Sequence, residues 1–225
     1  MGKQKSIVFI ILAFTLFAGT CGAESTLSSR PADWANSVQM EGVPNFYKVS
    51  NDLYRSAQPA STEAMQNLQT SDFRIKTVVN LRWSRSNRDK NGETGIFYEH
   101  IPMVGWPLFP REDQVIRFLQ IVTDSQKTPI LVYCQHGADR TGAMCAVYRI
   151  AVQGWTKEKA LEEMIEGGFG FHGTRDGNVV QWINRLNIDK IKRKAGIKES
   201  ALLKNLRAGE TLKVIMKLNP LSPST

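Results

Sequence analysis

Cysteine is scarce in this chain, three among 225 residues. A fold stapled by disulfides is therefore excluded. Histidine is equally scarce at three, and no His, Cys, Asp or Glu group shows metal-ligand spacing, so no metal is expected; the chemistry read below needs no organic cofactor either. Beyond residue 20 no apolar run is long enough to span a bilayer. An excess of one charge is missing where it would matter most. The net charge is +8, yet residues 24–186 carry 18 basic and 18 acidic side chains. The surplus sits at the two ends, which argues against a nucleic-acid-binding face on the core. What is present is a 42% hydrophobic, 22% charged composition, enough to bury a core, in a length that suits one domain with appendages.

The N-terminus reads as an export signal. Lys3 and Lys5 precede an apolar stretch from Ile7 to Ala18, and small residues follow in TCGAES. That length suits a signal-peptide core and is short for a spanning helix. Cleavage after Ala23 gives residues 1–23 as signal peptide, 24–195 as the main domain and 196–225 as a basic tail. A lipid anchor on Cys21 and an uncleaved membrane anchor stay open beside cleavage. The expected location is outside the cytoplasm, periplasmic or secreted. The tail alternates Lys198, Lys204, Arg207, Lys213 and Lys217 with Leu202, Leu203, Leu206, Val214 and Ile215. It is expected to dock on the domain, attract an anionic membrane surface weakly, or stay solvated.

Between the ends, strands alternate with helices. Residues 46–55 read as two short strands around a Ser50-Asn51-Asp52 turn, and Ser61 as the cap of a helix reaching Gln69. Strands are expected at 77–82, 97–103 and 129–134, and loops at 83–95 and 105–110. Helices are expected at 111–124, 141–152, 156–165 and 178–192, with Gly167-Gly168 as a stop. This alternation implies an α/β fold with a mostly parallel central sheet flanked by helices.

The chemistry is concentrated in ILVYCQHGADRTG, residues 130–142, which runs from a buried strand through a tight loop into a helix. A loop curled at a helix N-terminus aims backbone N–H groups inward and makes an anion site. Gly137 relieves the sharp bend. Arg140 presents a planar fork to two phosphoryl oxygens. Thiols at the base of such cradles ionise readily, and a thiolate facing phosphate is a nucleophile for phosphoryl transfer. Gln135, His136, Gly137, Ala138 and Arg140 are thus the expected phosphate-binding residues, and Cys134 the expected nucleophile. A buried cysteine with a solvated arginine is the bland alternative. It leaves Gly137, Asp139 and Thr141 unexplained together.

Cys134, five residues, Arg140 and Thr141 resemble the signature of the cysteine-dependent tyrosine and dual-specificity phosphatases. With LYRSAQP (53–59) and TVVNLR (77–82), the region 40–190 looks like the small atypical dual-specificity phosphatases of bacteria, plants and fungi. The resemblance implies a phosphotyrosine-phosphatase-like fold, a cysteinyl-phosphate intermediate and a hydroxyl from Thr141 that helps the thiolate leave; an ordinary helix-start hydroxyl is the plain alternative for Thr141. Two departures stand out. Tyr133 occupies the place where the family usually has His. The family's general acid, an Asp about thirty residues before the cysteine, is missing from MVGWPLFP.

Asp139 is the expected replacement, a placement also found in myotubularin and Sac-type phosphatases. Asp113, at a helix start, is the alternative, and a structural cap or salt bridge is the plain reading of Asp139. Arg55 and Arg82 end strands, where α/β sites gather side chains, with surface ion pairing the leading expectation for each; Trp106 is read as cleft wall or packing, and Cys145 as core or as partner of an oxidised Cys134. His172, in GGFGFHG, suggests no partner and defaults to core or surface.

The leading function is an exported phosphomonoester phosphatase, acting on phosphoprotein or simple phosphomonoesters. A phosphate-binding module without turnover competes with it, and sulfur transfer on a similar loop is a third class. The absence of Lys from the loop disfavours polyphosphoinositides.

Overall fold

The computed structural model describes residues 30–84, 95–104, 110–174 and 177–198. The expected signal segment 1–23, Trp106 and the tail beyond 198 lie outside the described residues. The chain divides into two units, Met1–Arg30 and Pro31–Thr225, and all elements below belong to the second.

Six strands form one sheet in the order β1-β2-β3-β6-β4-β5. They are β1 (Asn36–Ser37), β2 (Tyr47–Lys48), β3 (Leu53–Ser56), β4 (Thr77–Asn80), β5 (Phe97–His100) and β6 (Ile130–Tyr133). β3, β6, β4 and β5 pair in parallel, whereas β1, β2 and β3 pair antiparallel. This is the mostly parallel sheet that the alternation implied, with β1 as a strand not foreseen.

β6 is central because it is apolar on both faces. Alternate side chains leave a strand in opposite directions. Ile130 and Val132 accordingly join one core cluster with Val115, Phe118, Leu119 and Met144. Leu131 and Tyr133 join the other with Tyr54, Met65, Leu68 and Val78. Tyr133, the departure before Cys134, is therefore a fully buried core side chain.

The helices are α1 (Thr62–Thr70), α2 (Glu112–Val122), α3 (Asp139–Ala151), α4 (Lys157–Glu166), α5 (Asn178–Arg185) and α6 (Ile188–Ala195). Ser61 caps α1 by accepting from Ala64 N at 3.0 Å. The expected single helix over 178–192 is two. Asn187 breaks it because its side chain accepts from Lys190 N at 2.9 Å and so starts a new helix. Gly196, at φ 75°, closes α6.

One buried ion pair locks α3 to α4. Arg149 donates to both oxygens of Glu163 at 2.7 and 2.5 Å. Both side chains are almost fully enclosed. Ala35 N adds a bond to Glu163 at 2.6 Å and Val49 O accepts from Arg149 at 3.1 Å. These bonds satisfy charges that would otherwise be costly to enclose. They fix α3, whose first turn carries the site, against the N-terminal strands.

Candidate active site

The four parallel strands end on one side, where α/β folds gather their functional groups. Cys134 follows β6 directly and is 3% exposed. Gln135 and His136 are exposed, while Gly137 and Ala138 are buried under the turn into α3. That helix begins at Asp139, two residues earlier than expected, so Asp139 and Arg140 form its first turn. Gly137 has φ 73°. A Cβ there would lie 2.6 Å from the backbone of Ser56 and Ala57. No other residue fits without moving β3, so the glycine is required by both conformation and space.

Three residues outside the loop hold it. Gln58 N donates to Gln135 O at 3.3 Å. Asn45 Nδ2 bonds His136 O at 2.9 Å and also Phe169 O at 2.9 Å. Arg55 donates Nη2 to Gly137 O at 2.7 Å and reaches Ala138 O at 3.5 Å. Arg55 corrects the surface reading: it is 2% exposed, with its guanidinium 3.7 Å over the Phe169 ring. Its Nε is buried and has no hydrogen-bond partner among the described residues. Burial pushes this guanidinium below the usual arginine range, and nearby Cys145, Glu163 and Cys134 pull the other way. A cation thus sits under the loop, held by carbonyls. Asn45 gave no sequence signal, and Arg55 only its place at a strand end within LYRSAQP.

Arg55→Met should lower kcat/KM on p-nitrophenyl phosphate about a hundredfold, the scale of a misplaced loop. Arg55→Lys should recover part of that loss. Unchanged kcat/KM with a lower melting temperature would make Arg55 a scaffold residue alone.

Thr141 is fully buried and its Oγ1 has no partner among the described residues. Cys145 is also buried, and desolvation pushes its thiol up to about 11, as suits a core side chain. Arg82 is half-buried. Its Nη1 is enclosed without a hydrogen bond among the described residues, and its carbonyl meets His100 Nε2 at 2.8 Å. Among the described residues Arg82 forms no ion pair.

Beside the loop lies a cavity of about 320 Å³, lined by Asp139, Arg140 and His172 together with Met103, Val104 and Phe171. Arg140 Nη1 donates to Met103 O at 3.3 Å. Asp139 takes two bonds from His172, one from the backbone N to Oδ1 and one between Nδ1 and Oδ2, each 2.9 Å. This pairing joins residues 33 positions apart and was not foreseen. Asp113, the alternative acid, is exposed, bonds Arg111, and does not line the cavity.

The chain has counterparts among known proteins. The family described as "DSP-PTPase phosphatase fused to NAD+ Kinase" matches residues 32–181. The chain belongs to the dual-specificity phosphatase family. It is 37% identical over 169 residues to the dual specificity protein phosphatase TpbA of Pseudomonas aeruginosa, covering 74% of this chain and 73% of that one. It is 31% identical to inositol diphosphatase DSP5 of Arabidopsis thaliana, over 53% of this chain and 60% of that one.

Solved structures agree. A cysteine-to-serine form of P. aeruginosa TpbA in complex with pTyr superposes with TM-score 0.61 at 30% identity, covering 76% of this chain and 100% of that one. The catalytic core of the PP-IP phosphatase SIW14 from S. cerevisiae, with citrate, gives 0.59 at 25% identity, over 70% and 94%. The phosphatase-like fold and the membership of the phosphoric monoester hydrolases, expected from the CQHGADRT loop, are both found.

Proposed function

We propose that this phosphatase is an exported enzyme that hydrolyses aryl phosphomonoesters, phosphotyrosine foremost, through a cysteinyl-phosphate. The observation that carries this reading is the cavity beside Arg140. Its walls include Met103, Val104, Pro110, Ala143, Phe171 and Val179. Apolar walls next to a phosphate cradle suit a flat ring that carries one phosphate. They offer little to an inositol ring bearing several anions, which calls for cations around the cradle. The variable loop positions are Gln135, His136 and Ala138, with no Lys among them. The phosphotyrosine complex of TpbA supports the same choice.

Cys134 Sγ attacks phosphorus. The P–O bond breaks, and Arg140 with the loop amides holds the charge on the phosphoryl oxygens. The leaving oxygen takes its proton at the Asp139 edge of the cavity. Water then attacks the phosphocysteine, and the hydroxyl of Thr141 receives the returning thiolate. Residues 1–23 direct export, and the basic segment 196–225 adds weak attraction to an anionic membrane surface.

The inositol diphosphatase relatives motivate the second reading, an inositol phosphate or pyrophosphate substrate. Phosphate release from a phosphotyrosine peptide, a phosphoserine peptide and an inositol pyrophosphate separates the two. The phosphotyrosine peptide should lead in kcat/KM by at least about tenfold, the scale of a fitted apolar pocket. The reverse order would replace the aryl substrate with the inositol one.

A further inference from the structure

The segment after α4 is built to bring one imidazole to the cavity. Phe169 is 2% exposed and anchors it, packed against Tyr47 with ring centroids 4.7 Å apart and covered by the Arg55 guanidinium. Gly170 then turns the chain at φ 76°, a conformation other residues resist. Phe171 and His172 follow, and both line the cavity with Arg140. Asp139, on the first turn of α3, receives the backbone N–H of His172 at Oδ1 and the ring at Oδ2.

This arrangement engages both carboxylate oxygens of Asp139. A carboxylate oxygen accepts, so the hydrogen is on Nδ1 and Nε2 is the working nitrogen. Nε2 has no hydrogen-bond partner among the described residues. The His172 side chain is 63% exposed and that of Asp139 35%. An aspartate that fixes the tautomer and aim of a histidine is a recurrent catalytic arrangement.

We propose, building on the phosphatase reading above, that His172 is the proton donor to the leaving oxygen and Asp139 its positioning partner. The ring enters this step as the imidazolium, with Nδ1–H held by Asp139 and a second proton on Nε2. As Sγ of Cys134 bonds to phosphorus, the ester P–O electron pair leaves with oxygen, and the Nε2 proton moves to that oxygen. The ring is then neutral. In the second step Nε2 takes a proton from the attacking water, the S–P bond breaks, and the thiolate and the protonated ring return. The pair thereby fills the place of the acid missing from MVGWPLFP. Among the described residues, the titratable and charged groups around the ring are Asp139, Arg140 and His136, whose ring centroid lies 5.7 Å away.

The test compares His172→Gln, Asp139→Asn and the double variant on p-nitrophenyl phosphate and phenyl phosphate. A nitrophenolate leaves without help, whereas a phenolate needs the proton. His172→Gln should lose about a hundredfold in kcat on phenyl phosphate and only a few-fold on p-nitrophenyl phosphate. The basic-side limb of its pH–kcat profile should vanish. Asp139→Asn should lose less than His172→Gln on phenyl phosphate, and the double variant no more than His172→Gln. A larger loss in Asp139→Asn than in His172→Gln would place the proton on Asp139 and overturn the proposal. Equal losses of His172→Gln on both esters, or a surviving basic limb, would also overturn it. These failures differ from failure of the phosphatase reading, which would appear as wild-type chain that releases no phosphate from either ester.

Discussion

Cys134→Ser should abolish phosphate release and leave phosphate binding in place. Serine has the shape of cysteine with a smaller terminal atom, so it enters the enclosed site at the end of β6 without displacing its neighbours. The bonds from Asn45 and Arg55 run to backbone carbonyls of His136 and Gly137, and none depends on the sulfur. The cradle should therefore still close around an anion. What is lost is the nucleophile, because a serine hydroxyl is not ionised at neutral pH and no described group bonded to this position would deprotonate it. Removing the activated nucleophile of an enzyme costs several orders of magnitude, here at least about ten-thousandfold in kcat. Calorimetric titration with vanadate or phosphate, beside a p-nitrophenyl phosphate assay, reads both halves. Activity within about tenfold of wild type would exclude the covalent route. Loss of anion binding together with activity would show that the thiol also organises the loop.

The parts of this site that were legible in the sequence are those written locally. Ile130–Cys134 announces a buried strand, Gly137 a bend, and Asp139-Arg140-Thr141 a helix start, all within one stretch of chain. The physics that places them acts between neighbours: alternation along β6, φ at Gly137, the first turn of α3. For Arg55 the surface reading outweighed the site reading because a single charge at a strand end looks like a surface residue. Its partner, the Gly137 carbonyl, is 82 positions away, and a backbone carbonyl leaves no mark in composition. His172 was unreadable for the same reason. Its glycine-rich surroundings signal a turn, but only Phe169 under Arg55 shows where that turn is aimed. The break at Asn187 is a different error. Apolar periodicity continues through Leu186 and Ile188, and the local capping bond of Asn187 prevails over it.

Arg140→Lys should be nearly as damaging as Arg140→Ala, although it keeps the charge. The guanidinium occupies the cavity edge, and its single described bond is the 3.3 Å contact from Nη1 to Met103 O. That bond is long for an N–H···O interaction, so the fork is free to turn to a bound phosphoryl group. A planar fork meets two oxygens at once and holds them as charge shifts in the transition state. An ammonium group meets them as a point charge. An arginine that stabilises a phosphoryl transition state is worth about a thousandfold or more in kcat. The Lys variant should therefore lose about a thousandfold and lie within about tenfold of the Ala variant. Steady-state kinetics on p-nitrophenyl phosphate, with vanadate inhibition as the measure of transition-state geometry, checks this. Both should fall together in the Lys variant. If instead kcat survives and only KM rises, Arg140 acts through its charge on the bound substrate, and the fork contributes nothing specific to the transition state.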